Sequence, residues 1–257
     1  MPTDARTAQD QVVSLAHDSS LVHKTLESHL AKNPPTADTD DAAQFLAVTG
    51  DLWRIVIQHC NATAYLLHED IVEPAAVVYR AAYETMVTLN YILNRPTRDE
   101  QVEAALLHFA YSRLEIAKWF AGHPSAVDAE RVLNIMPLAV VEKARRHHRG
   151  NARPRGPFGL SLKQTAEAAG FTGHDWNYAV LSWEGHARIA GDHIQRGATD
   201  ERGAHELKFS RRVDPPWKWA LANQARRFLH GTYEAVARAW LGAIPPLQTT
   251  DPRKEAI

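Results

Sequence analysis

Between Pro74 and Asn94 the only charged residues are Arg80 and Glu84. The residues around them, among them Val77, Val78, Tyr79, Ala82, Tyr83, Met86, Val87 and Leu89, cover every side of a helix that turns about 100° per residue. Such a helix is stable only where other elements surround it, so this stretch predicts a central helix with neighbours packed about it. Pro74 stands where a proline opens a helix, and Asn94-Arg95-Pro96 ends it. Arg80 and Glu84 lie one turn apart and share a narrow stripe with Tyr91, while Val78, Ala82, Thr85, Leu89 and Leu93 lie nearly opposite. Charges inside a bundle persist only when paired and hydrogen-bonded. The pair therefore either locks the register of the helix or lines a pocket.

The rest of the chain supplies the covering helices. Alanine, the strongest helix former, accounts for 40 of the 257 residues. Helices are predicted over 9–32, closed by Asn33-Pro34-Pro35, and over 42–68, opened by Asp38-Thr39-Asp40-Asp41. Further helices are predicted over 98–121, over 125–149 with a break at Pro137, over 161–169 closed by Gly170, over 175–193, and over 217–241 closed by Gly242 and Pro245-Pro246. Residues 194–216 are the least regular, and the alternation in Glu206-Leu207-Lys208-Phe209-Ser210 predicts a short strand or hairpin arm. The expected fold is all-α, a single helical bundle of about seven helices with an irregular arm near 194–216. The expected domain is 1–248, with its core in 42–243 and a disordered tail at 249–257.

Composition excludes several classes. Cys60 is the sole cysteine, so neither an intrachain disulfide nor an all-cysteine zinc site is expected. In its helical context Cys60 reads as a small buried hydrophobe. The start, Met1-Pro2-Thr3-Asp4-Ala5-Arg6, lacks the basic-then-apolar plan of a secretory signal. The apolar run 71–93 carries Glu73, Arg80 and Glu84, so no membrane span is expected and the cytoplasm is the expected location. The 29 basic and 30 acidic residues nearly cancel, to a net charge of -1, but they are unevenly spread. Lys143, Arg145, Arg146, Arg149, Arg153, Arg155 and Lys163 follow one another with no acid between them, and His147 and His148 lie among them. This run suits phosphate or an RNA backbone; it equally suits a solvated helix C-terminus, where cations meet the helix dipole favourably.

Most familiar enzyme signatures are missing. The chain has no Gly-rich phosphate loop, no His-Glu-x-x-His, no Glu-x-x-His and no Gly-x-Ser-x-Gly, and no metal or cofactor is expected. What remains is a stripe of Tyr178, Ser182, His186 and His193, at helical spacings with Ile189 between. Ser182 and His186 are one turn apart, so the hydroxyl can hydrogen-bond the imidazole. That is half of a nucleophile-and-base pair, and also an ordinary way to satisfy a buried histidine. His186 or His193 also suits acid–base work. The last helix sets Trp219, Asn223, Arg226, His230 and Tyr233 on one face, either as core with polar tips or as a pocket wall joined by Trp176 and Trp183.

Together, the apolar helix with Arg80-x-x-x-Glu84 and the later Tyr178-x-x-x-Ser182-x-x-x-His186 resemble an uncharacterised bacterial family known as domain of unknown function 5677. The resemblance spans roughly 66–241 and implies a helical cytosolic protein with no agreed activity. More distantly, Arg188-Ile189-Ala190-Gly191-Asp192-His193 is similar to the Arg-then-His signature of HEPN-type helical ribonucleases found in toxins and phage defence. Ile189 departs from the polar residue favoured after the Arg. Arg188 and His193 would point about 140° apart on an unbroken helix, and converge only if it breaks near Gly191.

The expected central site gathers Arg80, Glu84, Ser182 and His186, with Arg226 or His230 nearby. The leading expectation is a metal-independent, RNA-directed nuclease or toxin-like defence protein. In it His186 or His193 handles protons, Arg188 or Arg80 stabilises phosphate, and Arg145, Arg146 and Arg149 hold the backbone of RNA or another phosphate-bearing ligand. The alternative is a non-catalytic interaction module in which these pairs are internal locks. A third is a small-molecule enzyme with a helical pocket lined by Trp183 and Trp219. A homodimer is compatible with each.

Overall fold

The computed structural model describes residues 4–37, 39–149, 156–171, 194–199, 205–209 and 215–247. Among these are eight helices and one two-stranded hairpin, and the protein is an all-α bundle with a short β arm.

Local chemistry fixes the helix ends. Helix α1 (Ala5–Lys32) starts where the Asp4 carboxylate accepts from the Thr7 amide at 2.8 Å, and stops before Pro34-Pro35. Helix α2 (Asp40–His68) is capped by the Thr39 hydroxyl, which accepts from the Ala42 amide. A three-residue link, with Asp70 in the left-handed region (φ 58°), leads into α3 (Val72–Leu93). Helix α4 (Arg98–Trp119) opens with a reciprocal cap: Thr97 accepts from the Glu100 amide, and the Glu100 carboxylate accepts from the Thr97 amide. Pro137 divides the next helical stretch into α5 (Pro124–Ile135) and α6 (Leu138–Arg149), so a single kinked helix becomes two. Helix α7 (Leu162–Ala168) carries the same reciprocal cap through Ser161 and Gln164 and ends at Gly170, whose φ of +82° a side chain would strain. Strands β1 (Ile194–Thr199) and β2 (His205–Phe209) pair antiparallel, Ile194 opposite Phe209 and Thr199 opposite His205, with an irregularity between Arg196 and Thr199. Helix α8 (Pro215–Leu241) closes the described chain. The helix expected over 175–193 and the tail expected at 249–257 lie outside the described residues.

Two clusters make the core. The main one joins α1, α2, α3 and α8 around Tyr79, Tyr83, Met86, Phe45, Leu221 and Tyr233, all fully buried. It includes Val12, Leu15, Val22 and Leu26 of α1, so the core begins well before residue 42. Alanines at 75, 76, 82, 222, 225 and 237 are buried at these contacts and let the helix axes approach closely. A second cluster joins α4, α5 and α6 through Leu106, Leu107, Ala110, Leu133, Met136 and Val141. Helix α3 is central, as its lack of charge requires: it packs on α2, α8, α7 and α4. No helix among the described residues is long and apolar enough to cross a membrane.

Candidate functional site

The face of α3 turned to α2 and α8 carries Tyr79, Ala82, Tyr83, Met86 and Asn90, all buried. Arg80 and Glu84 lie at the edge of that face. The Arg80 Nε–H donates to Glu84 Oε1 at 3.0 Å, and the two side chains are 25% and 41% exposed. The pair expected at this spacing therefore forms, part-buried rather than sealed inside the bundle. Helix α3 turns its tyrosine face to the core and carries this pair at the margin of that face. Their mutual hydrogen bond is charge-assisted on both sides.

Tyr91, further along the same stripe, stacks on Phe158 with ring centroids 4.2 Å apart, and the Arg95 guanidinium lies over the Tyr91 ring. Phe158 belongs to a turn inside the basic run, between Arg155 and Lys163. His147 Nδ1–H donates to the Pro157 carbonyl at 2.7 Å, and the ring of His147 sits so close to Gly159 that a Cβ there would lie 2.9 Å from its Nε2. The end of α6 is thereby pinned to the stripe of α3. Lys143 is paired with Glu103 at 2.6 Å, and His148 meets Glu115. Arg145 is partly buried and Arg146 exposed. The side chain of Arg149 lies outside the described residues, as do Arg153 and Arg155.

Tyr178, Ser182, Trp183, His186, Arg188 and His193, with Trp176, also lie outside the described residues. The chain enters their segment from Phe171, which is buried and packs edge-on against Tyr83, centroids 5.6 Å apart, and against Phe228 of α8 at 4.9 Å. Tyr83 itself packs on Phe228 at 5.4 Å. Burial pushes the phenols of Tyr79 and Tyr83 above their ordinary range and the Cys60 thiol up to about 12, so these groups stay protonated and are poor nucleophiles.

Arg226 and His230 do not join the Arg80–Glu84 pair. They share a face of α8, as their spacing predicts, but that face meets α1. Arg226 Nε–H and His230 Nε2–H both donate to Asp18 Oδ2 at 2.8 Å, and a second Arg226 N–H donates to Gln11 Oε1 at 2.8 Å. Burial raises the pKa of Asp18, but hydrogen bonds from His230 and Arg226 outweigh it and hold the carboxyl below its ordinary value. Phe228, two positions from each, faces the opposite way, towards Tyr83 of α3. Trp219 is partly buried on the same helix.

Two buried charges, Asp18 and Lys218, carry no local signal in the sequence. Lys218 is buried between α1, α8 and the α2–α3 link, where its ammonium donates to Gln9 Oε1 at 2.7 Å and to Asp70 Oδ1 at 2.6 Å. It is an ionic lock between distant elements, and no local pattern marks it because its partners lie 209 and 148 residues away. Among the described residues no three His, Cys, Asp or Glu side chains are grouped as metal ligands would be.

A family model described as a family of unknown function (DUF5677) matches residues 46–202. No curated protein and no solved structure matches the chain.

Proposed function

The chain belongs to the DUF5677 family, and from that premise we propose that it is a metal-independent, RNA-directed nuclease of the toxin or phage-defence kind. Arg80 serves as the phosphate-binding cation, positioned by Glu84, and His186 or His193 as the acid–base group. The observation that carries this reading is the partial exposure of the Arg80–Glu84 pair on an otherwise apolar central helix. A pair at the solvent edge stands where a phosphate can reach it. Two further observations support it. The segment bearing Ser182 and His186 departs from Phe171, anchored on Tyr83, the neighbour of Glu84. The basic end of α6 is pinned to Tyr91, about 10 Å along the α3 axis from Glu84, a distance within the reach of a few nucleotides.

The chemistry uses only the chain's own groups. A neutral histidine takes the proton from a ribose 2′-OH, O2′ attacks the adjacent phosphorus, and the P–O5′ bond breaks. The leaving O5′ takes a proton from a histidinium, and a 2′,3′-cyclic phosphate remains. Arg80, or Arg188, faces the charge gathering on the phosphoryl oxygens, and Arg145, Arg146 and Arg149 hold flanking phosphates. Purified protein in EDTA is expected to cleave single-stranded RNA to cyclic-phosphate ends, with His186→Ala or Arg80→Ala lowering the rate by about 10² to 10⁴. RNA left intact by the unmodified protein, or cleavage that appears only with added divalent metal, refutes this reading.

A second reading, an interaction module without catalysis, is favoured by the Asp18–Arg226–His230 network, in which two candidate site residues are spent on holding α1 to α8. It predicts no cleavage of RNA under either condition.

A further inference from the structure

At one end of the bundle, the C-termini of α1 and α8 meet the first two turns of α2 and the first turn of α4. They enclose a cleft of about 610 Å3 walled by His29, Leu46, Arg98, Trp240, Ile244 and Pro245. This size is in the range of small-molecule sites. None of the residues lining it is acidic.

Its walls are fixed before any ligand arrives. The Trp240 Nε1–H donates to Thr49 Oγ1 at 3.2 Å, and the indole lies over Gly50, where a Cβ would be 3.9 Å from the ring. Proline pairs 34–35 and 245–246 stiffen two sides, and the Pro245 carbonyl accepts from the buried Tyr233 hydroxyl at 2.9 Å. The Arg98 guanidinium lies over the buried Phe45 ring, its Cζ 3.8 Å from the centroid. Its hydrogen bond is to the neutral Gln101 at 3.4 Å, and among the described residues no carboxylate pairs with it. His29 Nδ1–H donates to the Thr25 carbonyl at 2.9 Å, which leaves Nε2 as the ring atom available to a ligand.

A guanidinium held over a phenyl ring, beside an indole fixed by its own hydrogen bond and in a concave site without acids, is complementary to one kind of molecule. We propose that this cleft binds a small organic anion with a planar apolar body, its carboxylate or phosphate on Arg98 and its ring against Trp240. Arg98 supplies bidentate geometry for either anionic group, and the rigid walls reduce the ordering cost of binding. The site is independent of the nuclease reading, since it shares no residue with it.

Calorimetric titration with 2-naphthoate, 2-naphthyl phosphate, neutral 2-naphthol and inorganic phosphate tests the assignment. Naphthoate or naphthyl phosphate is expected to bind at least tenfold more tightly than naphthol and than inorganic phosphate, and the better of the two identifies the anionic group. Arg98→Gln is expected to weaken that binding at least tenfold, while the exposed control Arg131→Ala leaves it unchanged. Trp240→Leu is expected to weaken it as well. If circular dichroism finds that variant unfolded, the surface substitution Arg98→Gln decides alone. No binding of either naphthyl anion, binding indifferent to Arg98→Gln, or naphthol binding as tightly as the anions overturns the proposal.

Discussion

His108, on α4, has its ring stacked beside Phe158, and its Nδ1 is buried without a hydrogen-bond partner among the described residues. Burial pushes its pKa down to about 4, so it is neutral in the folded protein at neutral pH. In the unfolded chain it takes up a proton near pH 6.5. Between pH 6.5 and about 4 the unfolded state therefore binds more protons, and stability falls as pH falls. Across that window this one group removes up to roughly 3 kcal/mol. His108→Phe, which keeps the ring and loses the titration, is expected to have a urea midpoint that drops much less than that of the unmodified protein from pH 7 to pH 5. Equal drops would mean that His108 is solvated. At this scale the sequence marked the residue types well and their surroundings poorly. Arg226 and His230 were legible as a pair on one face, but Asp18, which binds both, lies 208 and 212 residues away and gives no local signal.

The helices themselves were the most legible part, because their limits depend on short-range chemistry. Thr97 with Glu100 opens α4, Pro137 separates α5 from α6, and the positive φ of Gly170 and Gly242 ends α7 and α8. What joins helix to helix is less local. Asn90 of α3 donates one amide hydrogen to the Met86 carbonyl at 2.9 Å and the other to Thr232 Oγ1 of α8 at 2.8 Å, both groups being buried. Thr232→Val keeps the shape and removes the acceptor, leaving one buried Asn90 N–H unpaired. A loss of about 1–3 kcal/mol in denaturant unfolding, with helix content unchanged, is the expected result. A loss within error would mean that packing alone sets this contact.

For the whole molecule, the decisive fact is that both ends of the chain complete one core. Val12, Leu15, Val22 and Leu26 of α1 and Leu221, Leu229 and Val236 of α8 are buried, and α1 packs along α8. The family match begins after α1 and stops before α8. A fragment of residues 40–214 therefore exposes the apolar faces those helices cover. It is expected to bind a hydrophobic dye and to melt without a cooperative transition, whereas the full chain melts sharply; a sharp melt of the fragment would place the core elsewhere. The sequence by itself determined where helices start, break and stop, and that α3 is central, because caps, prolines and apolar periodicity act over a few residues. Only the tertiary structure decided which side of α3 is covered, so that Arg80–Glu84 stands at the solvent edge, and which charges are locked inside, Lys218 and Asp18. It also brought Arg98 onto Phe45 beside Trp240. These outcomes depend on the arrival of elements scores to hundreds of residues distant, and a side chain's burial and partners are properties of that arrival, not of its neighbours in the chain.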